Sequence, residues 1–293
     1  MLFGIVTVTI LGCGGAGFQA SSNPLTHVVI ADRVNGRVVS IDAIPYSTWD
    51  ELSGSVAMPE LLDELISVDY EAPYFYVLTR QGKIVRYTDI FGAGYVNHGV
   101  DLTDGEGDIQ VMPSGEMYVT RADSGEIWYF SSWTAMPTAA TQTIGGAWLG
   151  KLVVGSTGRI FVSDEANSRI YELASISATP TILVDATTLV TPANLDNPKG
   201  LHFDETNNRL LICDSNNSTI DVLDLGSSLY TNGSWTVNQP IDIHFGVDGL
   251  WYITYVTGVA SASDPVSGAK PKFTGSLGSN PGQFAEPWSV VTY

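Results

Sequence analysis

One hairpin recurs along this chain, and its spacing leaves few folds open. In IFVSDEANSRIYEL, from Ile160, an apolar strand ends at Asp164, a polar turn carries Asn167, and Arg169-Ile170 opens a second strand. Copies of it are HVVIADRVNGRVVSID from His27, YFYVLTRQGKIVRYT from Tyr74, MYVTRADSGEIWYFS from Met117 and LLICDSNNSTIDVLD from Leu210. A sixth begins at Trp251, with its turn enlarged by an insertion running from Val256 to Lys270. The equivalent positions Val38, Ile84, Ile127, Ile170 and Ile220 lie 46, 43, 43 and 50 residues apart, the period of propeller blades.

A further short strand precedes most of these hairpins: LISVD from Leu65, DIQVM from Asp108, KLVVG from Lys151, GLHFD from Gly200 and DIHFG from Asp242. The first hairpin has none before it, and the final SVVTY from Ser289 has no hairpin after it. Each supplies what the other lacks. The expected fold is therefore all-β, a six-bladed β-propeller closed by pairing of the C-terminal strand with the N-terminal blade, which removes open sheet edges. Residues 27–293 form this single domain, and 44% hydrophobic content over 293 residues is enough for its core.

The segments GSNPGQFAEPWSVV, IFVSDEANSRI and NPKGLHFD resemble NHL-repeat propellers, which share a Pro before the inner strand and an Asp-x-x-Asn-x-Arg turn. Asp32-Asn35-Arg37 and Asp164-Asn167-Arg169 carry the whole turn, Asp214-Asn217-Thr219 lacks the Arg, and Arg121-Ser124-Glu126 has none of the three. Asp and Asn at such places bond turn amides. The resemblance implies a fold shared by enzymes, receptors and scaffolds, and so no particular activity.

Residues 1–26 read as a signal segment and flexible tether. MLFGIVTVTILG is too short to span a bilayer, and Ile10-Leu11-Gly12-Cys13 resembles a bacterial lipobox. That resemblance implies lipidation at Cys13, export, and a lipid anchor in the cell envelope, at the outer membrane. Gly12 to Gly17 also spells G-x-G-x-x-G, but FQASSNP follows where a dinucleotide fold needs a helix. Cys213 lies in the apolar strand LLICDS and reads as an inert buried thiol, and two cysteines make no disulfide framework. With 13 Lys plus Arg against 31 Asp plus Glu, and a net charge of −18, nucleic acid is excluded as a partner. A monomer touching membrane only through its lipid is expected.

Alternation along the inner strands gives two registers. Ile66, Val68, Ile109, Val111, Leu152, Val154, Leu201, Phe203, Ile243, Phe245, Val290 and Thr292 should pack between blades. Leu65, Ser67, Asp108, Gln110, Lys151, Val153, Gly200, His202, Asp242, His244, Ser289 and Val291 should face a wet axial channel. Charges in that second set are too costly to bury unpaired. The channel mouth, with Lys151, Gln110 and Ser289, is the candidate site, on the face carrying the second-to-third strand turns and overhung by the insertion. Asp108, His202, Asp242 and His244 suit a divalent metal such as Ca, Zn or Mn, and a water-filled channel of self-satisfied polar groups is the alternative. The loop DLTDGEGD, with Asp101, Asp104, Glu106 and Asp108, lacks EF-hand spacing and reads as a solvated acidic turn. No HExxH, GxSxG or P-loop pattern occurs, so no catalytic residue is assigned. Two functions stand. One is an envelope-tethered binding module or scaffold for a protein, peptide or glycan, gripping through exposed aromatics such as Trp288 or Tyr255. The other is a metal-dependent lactone hydrolase or lyase, similar to gluconolactonases, with Lys151 facing an oxyanion.

Overall fold

The computed structural model describes residues 27–41, 49–53, 65–89, 93–100, 102, 105–185, 195–231, 236–264, 272–280 and 283–293. Residues 1–26, expected as a signal segment with Cys13, and residues Asp101, Asp104 and 265–271 lie outside the described residues.

Each expected hairpin is present, and each gains an outer strand. In chain order the first blade has β1 (Val28–Asp32), β2 (Arg37–Ile41) and β3 (Trp49–Ser53). The second has β4 (Leu65–Glu71), β5 (Tyr74–Thr79), β6 (Ile84–Tyr87) and β7 (Val96–Asn97), and the third β8 (Gly107–Val111), β9 (Met117–Arg121), β10 (Glu126–Phe130) and β11 (Gln142–Thr143). The fourth is β12 (Leu149–Val154), β13 (Ile160–Asp164), β14 (Arg169–Leu173) and β15 (Thr181–Val184). The fifth is β16 (Pro198–Asp204), β17 (Arg209–Asp214), β18 (Thr219–Asp224) and β19 (Leu229–Thr231). The sixth is β20 (Pro240–Phe245), β21 (Trp251–Tyr255), β22 (Gly258–Ala262) and β23 (Lys272–Thr274). Finally β24 (Pro287–Thr292) pairs inside β1, making six antiparallel four-stranded sheets.

The ring closes as the sequence requires. Val28, Val29, Ile30 and Ala31 face Thr292, Val291, Val290 and Ser289. His27 and Tyr293 exchange both backbone hydrogen bonds at 3.1 Å and stack their rings 5.0 Å apart. The inner strands β4, β8, β12, β16, β20 and β24 each neighbour the next around the axis.

Blades are joined by apolar layers. Ile109 and Val111 pack with Tyr76 and Leu78 of the preceding blade, and Leu152 and Val154 with Tyr118 and Ile127. Each such side chain contributes about 1.5–3 kcal/mol on burial. Close to the axis the backbones crowd: a Cβ on Gly200 would lie 2.6 Å from the Asp242 Cα and 2.7 Å from the Ile241 carbonyl oxygen. Only glycine lets β16 and β20 approach this closely.

The motif aspartates do more than cap their own turns. Asp32, Asp164 and Asp214 accept N–H bonds from Ala285, Trp148 and Asp196, in the segments that lead into the inner strand of the same blade. A carboxylate thus fastens the connection that delivers the inner strand. Pro198, Pro240 and Pro287 open three of those strands, where a missing N–H is tolerated.

We call the face where inner strands begin the upper face and the opposite one, with the first-to-second strand turns, the lower. Two expectations fail on this geometry. The β21–β22 turn is not enlarged, since Tyr255 pairs directly with Gly258. The extra residues fall between β22 and β23, a connection that belongs to the lower face. Trp288 and Tyr255 are also not exposed anchors, being 9% and 8% accessible.

Candidate functional site

The axis is locked by a charged cluster. Lys151 Nζ lies 2.7 Å from Asp108 Oδ1, 3.1 Å from Asp242 Oδ2 and 2.9 Å from Ser289 Oγ. Ser67 Oγ donates to the same Asp108 oxygen at 2.5 Å, and Ser289 Oγ donates to the Val68 carbonyl at 3.1 Å. Five of the six inner-strand positions meet here, from β4, β8, β12, β20 and β24, while β16 contributes Gly200. Burial alone would push the Lys151 pKa down, but Asp108 and Asp242 outweigh it and hold the ammonium well above its usual range. Burial raises the Asp242 pKa, against the pull of Lys151. A lysine held charged cannot take a proton from Ser289, so the pair is no Ser-Lys nucleophile.

Above the lock the axis is shut. Arg33 and Lys199 both pack on the Trp288 ring, 4.5 and 4.4 Å from its centroid. Arg33 pairs with Glu106 at 2.8 Å and Lys199 with Glu165 at 3.0 Å. The space left among these groups is about 10 Å³, room for one water at most.

Below the lock the axis opens into a cavity of about 670 Å³, reached from the lower face. Its wall includes the next pleat of the inner strands: Asp69, Gln110, Val153, His202 and His244. Several of these polar groups are already committed. Inner strands of neighbouring blades share no ladder, so their outward N–H groups need acceptors, and side chains supply them. Asp69 Oδ2 accepts from Val111 N at 2.6 Å, Asp108 Oδ2 from Leu152 N at 3.1 Å, Gln110 Oε1 from Val154 N at 2.7 Å and Asp242 Oδ2 from Val290 N at 2.9 Å. The channel carboxylates are blade-to-blade straps.

His202 and His244 are different. Their rings stand edge to face, 5.9 Å between centroids, and His202 also meets Trp251 at 5.0 Å. Among the described residues neither imidazole has a hydrogen-bond partner, and both are half-buried in the cavity wall. Burial lowers the His202 pKa to about 4 and, with the neighbouring His202 ring and the Lys151 ammonium opposing a second positive charge, that of His244 to about 3, so both rings are neutral near pH 7. Burial raises the Asp69 pKa to about 6, against the N–H groups of Val111 and Tyr70.

No protein-family model matches the chain, and no curated protein matches it. Solved structures do. One is a chain in the crystal structure of a nidogen/laminin complex, 14% identical, with a TM-score of 0.69 over 91% of this chain and 98% of that one. A streptogramin B lyase structure is 12% identical, with a TM-score of 0.59 over 90% and 82%. A protein of unknown function from Bacteroides caccae is 12% identical, with a TM-score of 0.63 over 91% and 98%. The chain has the six-bladed propeller fold. At these identities the likeness is one of fold alone.

The residues expected at the site are brought together in two layers rather than one. Asp108, Lys151, Asp242 and Ser289 make the lock, and Gln110, His202 and His244 line the cavity. The four expected metal ligands do not converge: among the described residues no three His, Cys, Asp or Glu side chains form a metal-binding group, and the Lys151 ammonium lies between Asp108 and Asp242. The open mouth is on the lower face, not the upper one. Leu65 and Val291 belong to an apolar cluster with Val29 and Phe75 instead of the channel. For β4 the cause is a bulge between Leu65 and Ser67, which moves the channel positions one pleat onward to Ser67 and Asp69. Asp69 was readable, since it continues the parity of Ser67. Phe245, expected between blades, is 43% accessible, while Phe203 does pack on Phe161 of the preceding blade and also edges the cavity. In the acidic loop, Asp108 is buried and Glu106 is ion-paired, so these two are not part of a solvated turn.

Proposed function

We propose that this protein is a ligand-binding propeller whose site is the axial cavity on the lower face. The observation that carries the reading is the pair of neutral, unbonded imidazoles, His202 and His244, in a cavity whose other strand-borne polar groups are mostly engaged. Groups that have no structural bond to lose are the ones able to bond an occupant. The volume falls in the range of small-molecule pockets, about 300–1,000 Å³, so the occupant is a small ligand or one protruding group of a larger one. The lock closes the inner end, which makes the site blind and enclosed rather than a through-channel.

A fragment soak of crystals with a library of neutral, cationic and anionic compounds tests this. Bound fragments should concentrate beside His202 and His244. Fragments gathered over Trp288 on the upper face, with only water in the cavity, would overturn it.

A second reading, proton-transfer chemistry of the lyase or hydrolase type, is favoured by the Asp69 carboxyl, whose pKa of about 6 suits a general base, in the wall that also carries the two neutral imidazoles. It would show as conversion of a soaked fragment instead of its simple retention.

A further inference from the structure

The cavity wall carries five carboxyl groups, Asp69, Asp108, Glu116, Glu205 and Asp242, against the single ammonium of Lys151. Asp108 and Asp242 are spent on that ammonium. Among the described residues no lysine or arginine pairs with Asp69, Glu116 or Glu205. The nearby guanidiniums are taken: Arg159 pairs with Glu172, and Arg209 with Asp204 at 2.8 Å.

The two rim carboxylates are held in place by neutral donors. Glu116 accepts from Tyr129 Oη at 2.5 Å and Ser114 Oγ at 2.9 Å, and Glu205 from Ser156 Oγ at 2.7 Å and from the Ser156 N–H. Hydroxyls and an amide orient a carboxylate without cancelling its charge. The Tyr129 and Ser114 bonds also lower the Glu116 pKa, which keeps it ionised. Between rim and floor the wall is apolar and aromatic, with Val153, Met112, Tyr118 and Phe203. Neutral imidazoles offer lone pairs at the floor and no opposing positive charge.

From this arrangement we infer that the occupant of the axial cavity is a small organic ammonium with an apolar body. This rests on the cavity being the binding site. Its N–H groups meet imidazole lone pairs at the floor, its body lies along the aromatic wall, where a cation gains further from the ring faces, and the unpaired carboxylates attract its charge across the cavity. An anion would face three uncompensated carboxyl groups and is rejected on the same grounds.

The test is a calorimetric titration at pH 7.5 and low salt with three probes of one shape: 2-phenylethylammonium, 2-phenylethanol and 3-phenylpropionate. The ammonium should bind at least about tenfold more tightly than the alcohol, the carboxylate should give no detectable heat, and added salt should weaken the ammonium alone. In the Glu116→Gln/Glu205→Gln double variant, where each amide oxygen keeps one of the two bonds and the second hydroxyl can turn to accept from the NH2, the ammonium should lose several-fold in affinity while the alcohol is unchanged. Equal binding of alcohol and ammonium, or preference for the carboxylate, would overturn the charge class and leave the cavity as a site. Absence of all three from the cavity at millimolar concentration would remove the site itself.

Discussion

Removing the Lys151 ammonium would leave Asp108 and Asp242 buried at the axis with no cation between them. Breaking a buried pair from one side costs about 3–5 kcal/mol, because the remaining charge is left without its counter-ion. The variant Lys151→Met, close in length and without charge, should be destabilised by about that amount in urea unfolding at pH 7. Its pH dependence separates charge from packing. In the variant Asp242, whose pKa burial already raises, loses the ammonium that pulls it down, so stability falls as pH rises above its unfolded value and returns as pH drops and the group takes a proton. The deficit against wild type should therefore shrink by half or more between pH 7 and pH 5. A deficit constant over that range would mean that Lys151 acts as a spacer and that the electrostatic account of the lock is wrong.

At the scale of the element, the turns show which parts of a repeat are interchangeable. In the first blade Arg37 Nε meets Asp32 Oδ2 at 2.8 Å, and the same Asp, Asn and Arg set recurs in Asp204, Asn207 and Arg209 at a first-to-second strand turn, where no repeat pattern pointed to it. Blade five has Thr219 where Arg37 stands, and there Asp214 lies against the Asp221 carboxyl, to which Tyr230 Oη donates at 2.6 Å. Burial, with Asp221 adding to it, raises the Asp214 pKa to about 7. A raised carboxyl pKa means that its share of stability is present at low pH and is lost as pH climbs from about 4, the unfolded value, through about 7. Asp221→Asn keeps an oxygen for Tyr230 and gives Asp214 a permanent N–H donor. It should raise the melting temperature at pH 8 by about 2–4 °C over wild type and flatten the pH 5–8 profile, whereas equal melting temperatures at pH 8 would count against Asp214 as the source of the pH dependence. The hairpins were legible because strands of four to six residues alternate and end in Asp, Asn or Gly turns. Outer strands β7 and β11, of two residues each, are too short to carry a period, so these were not. The cavity was legible by parity along β8, β12 and β20, and Asp69 by the parity of Ser67, whereas the bulge that turns Leu65 away and the seat of Lys151 between Asp108 and Asp242 needed coordinates.

For the whole molecule, one strand sets both closure and site. β24 pairs with β1, packs between β20 and β4, places Ser289 on Lys151 and Trp288 under Arg33 and Lys199. Its contacts link residues more than 250 positions apart, so its docking carries the largest loop-closure cost in the fold and is expected late in folding. If the ring is held by this strand, deleting Pro287–Tyr293 should replace the single cooperative melt by a broad, low-temperature one, and binding of 2-phenylethylammonium should go with it. Because His27 and Tyr293 exchange both backbone hydrogen bonds, a two-residue Asn-Gly turn suffices to join them, as in a β-hairpin. A permutant so joined and reopened at the exposed turn near Ser177 keeps every strand and should melt within a few degrees of wild type. A permutant that fails while the truncated chain still melts cooperatively would show that sequential order, and not closure through β24, holds the blades together.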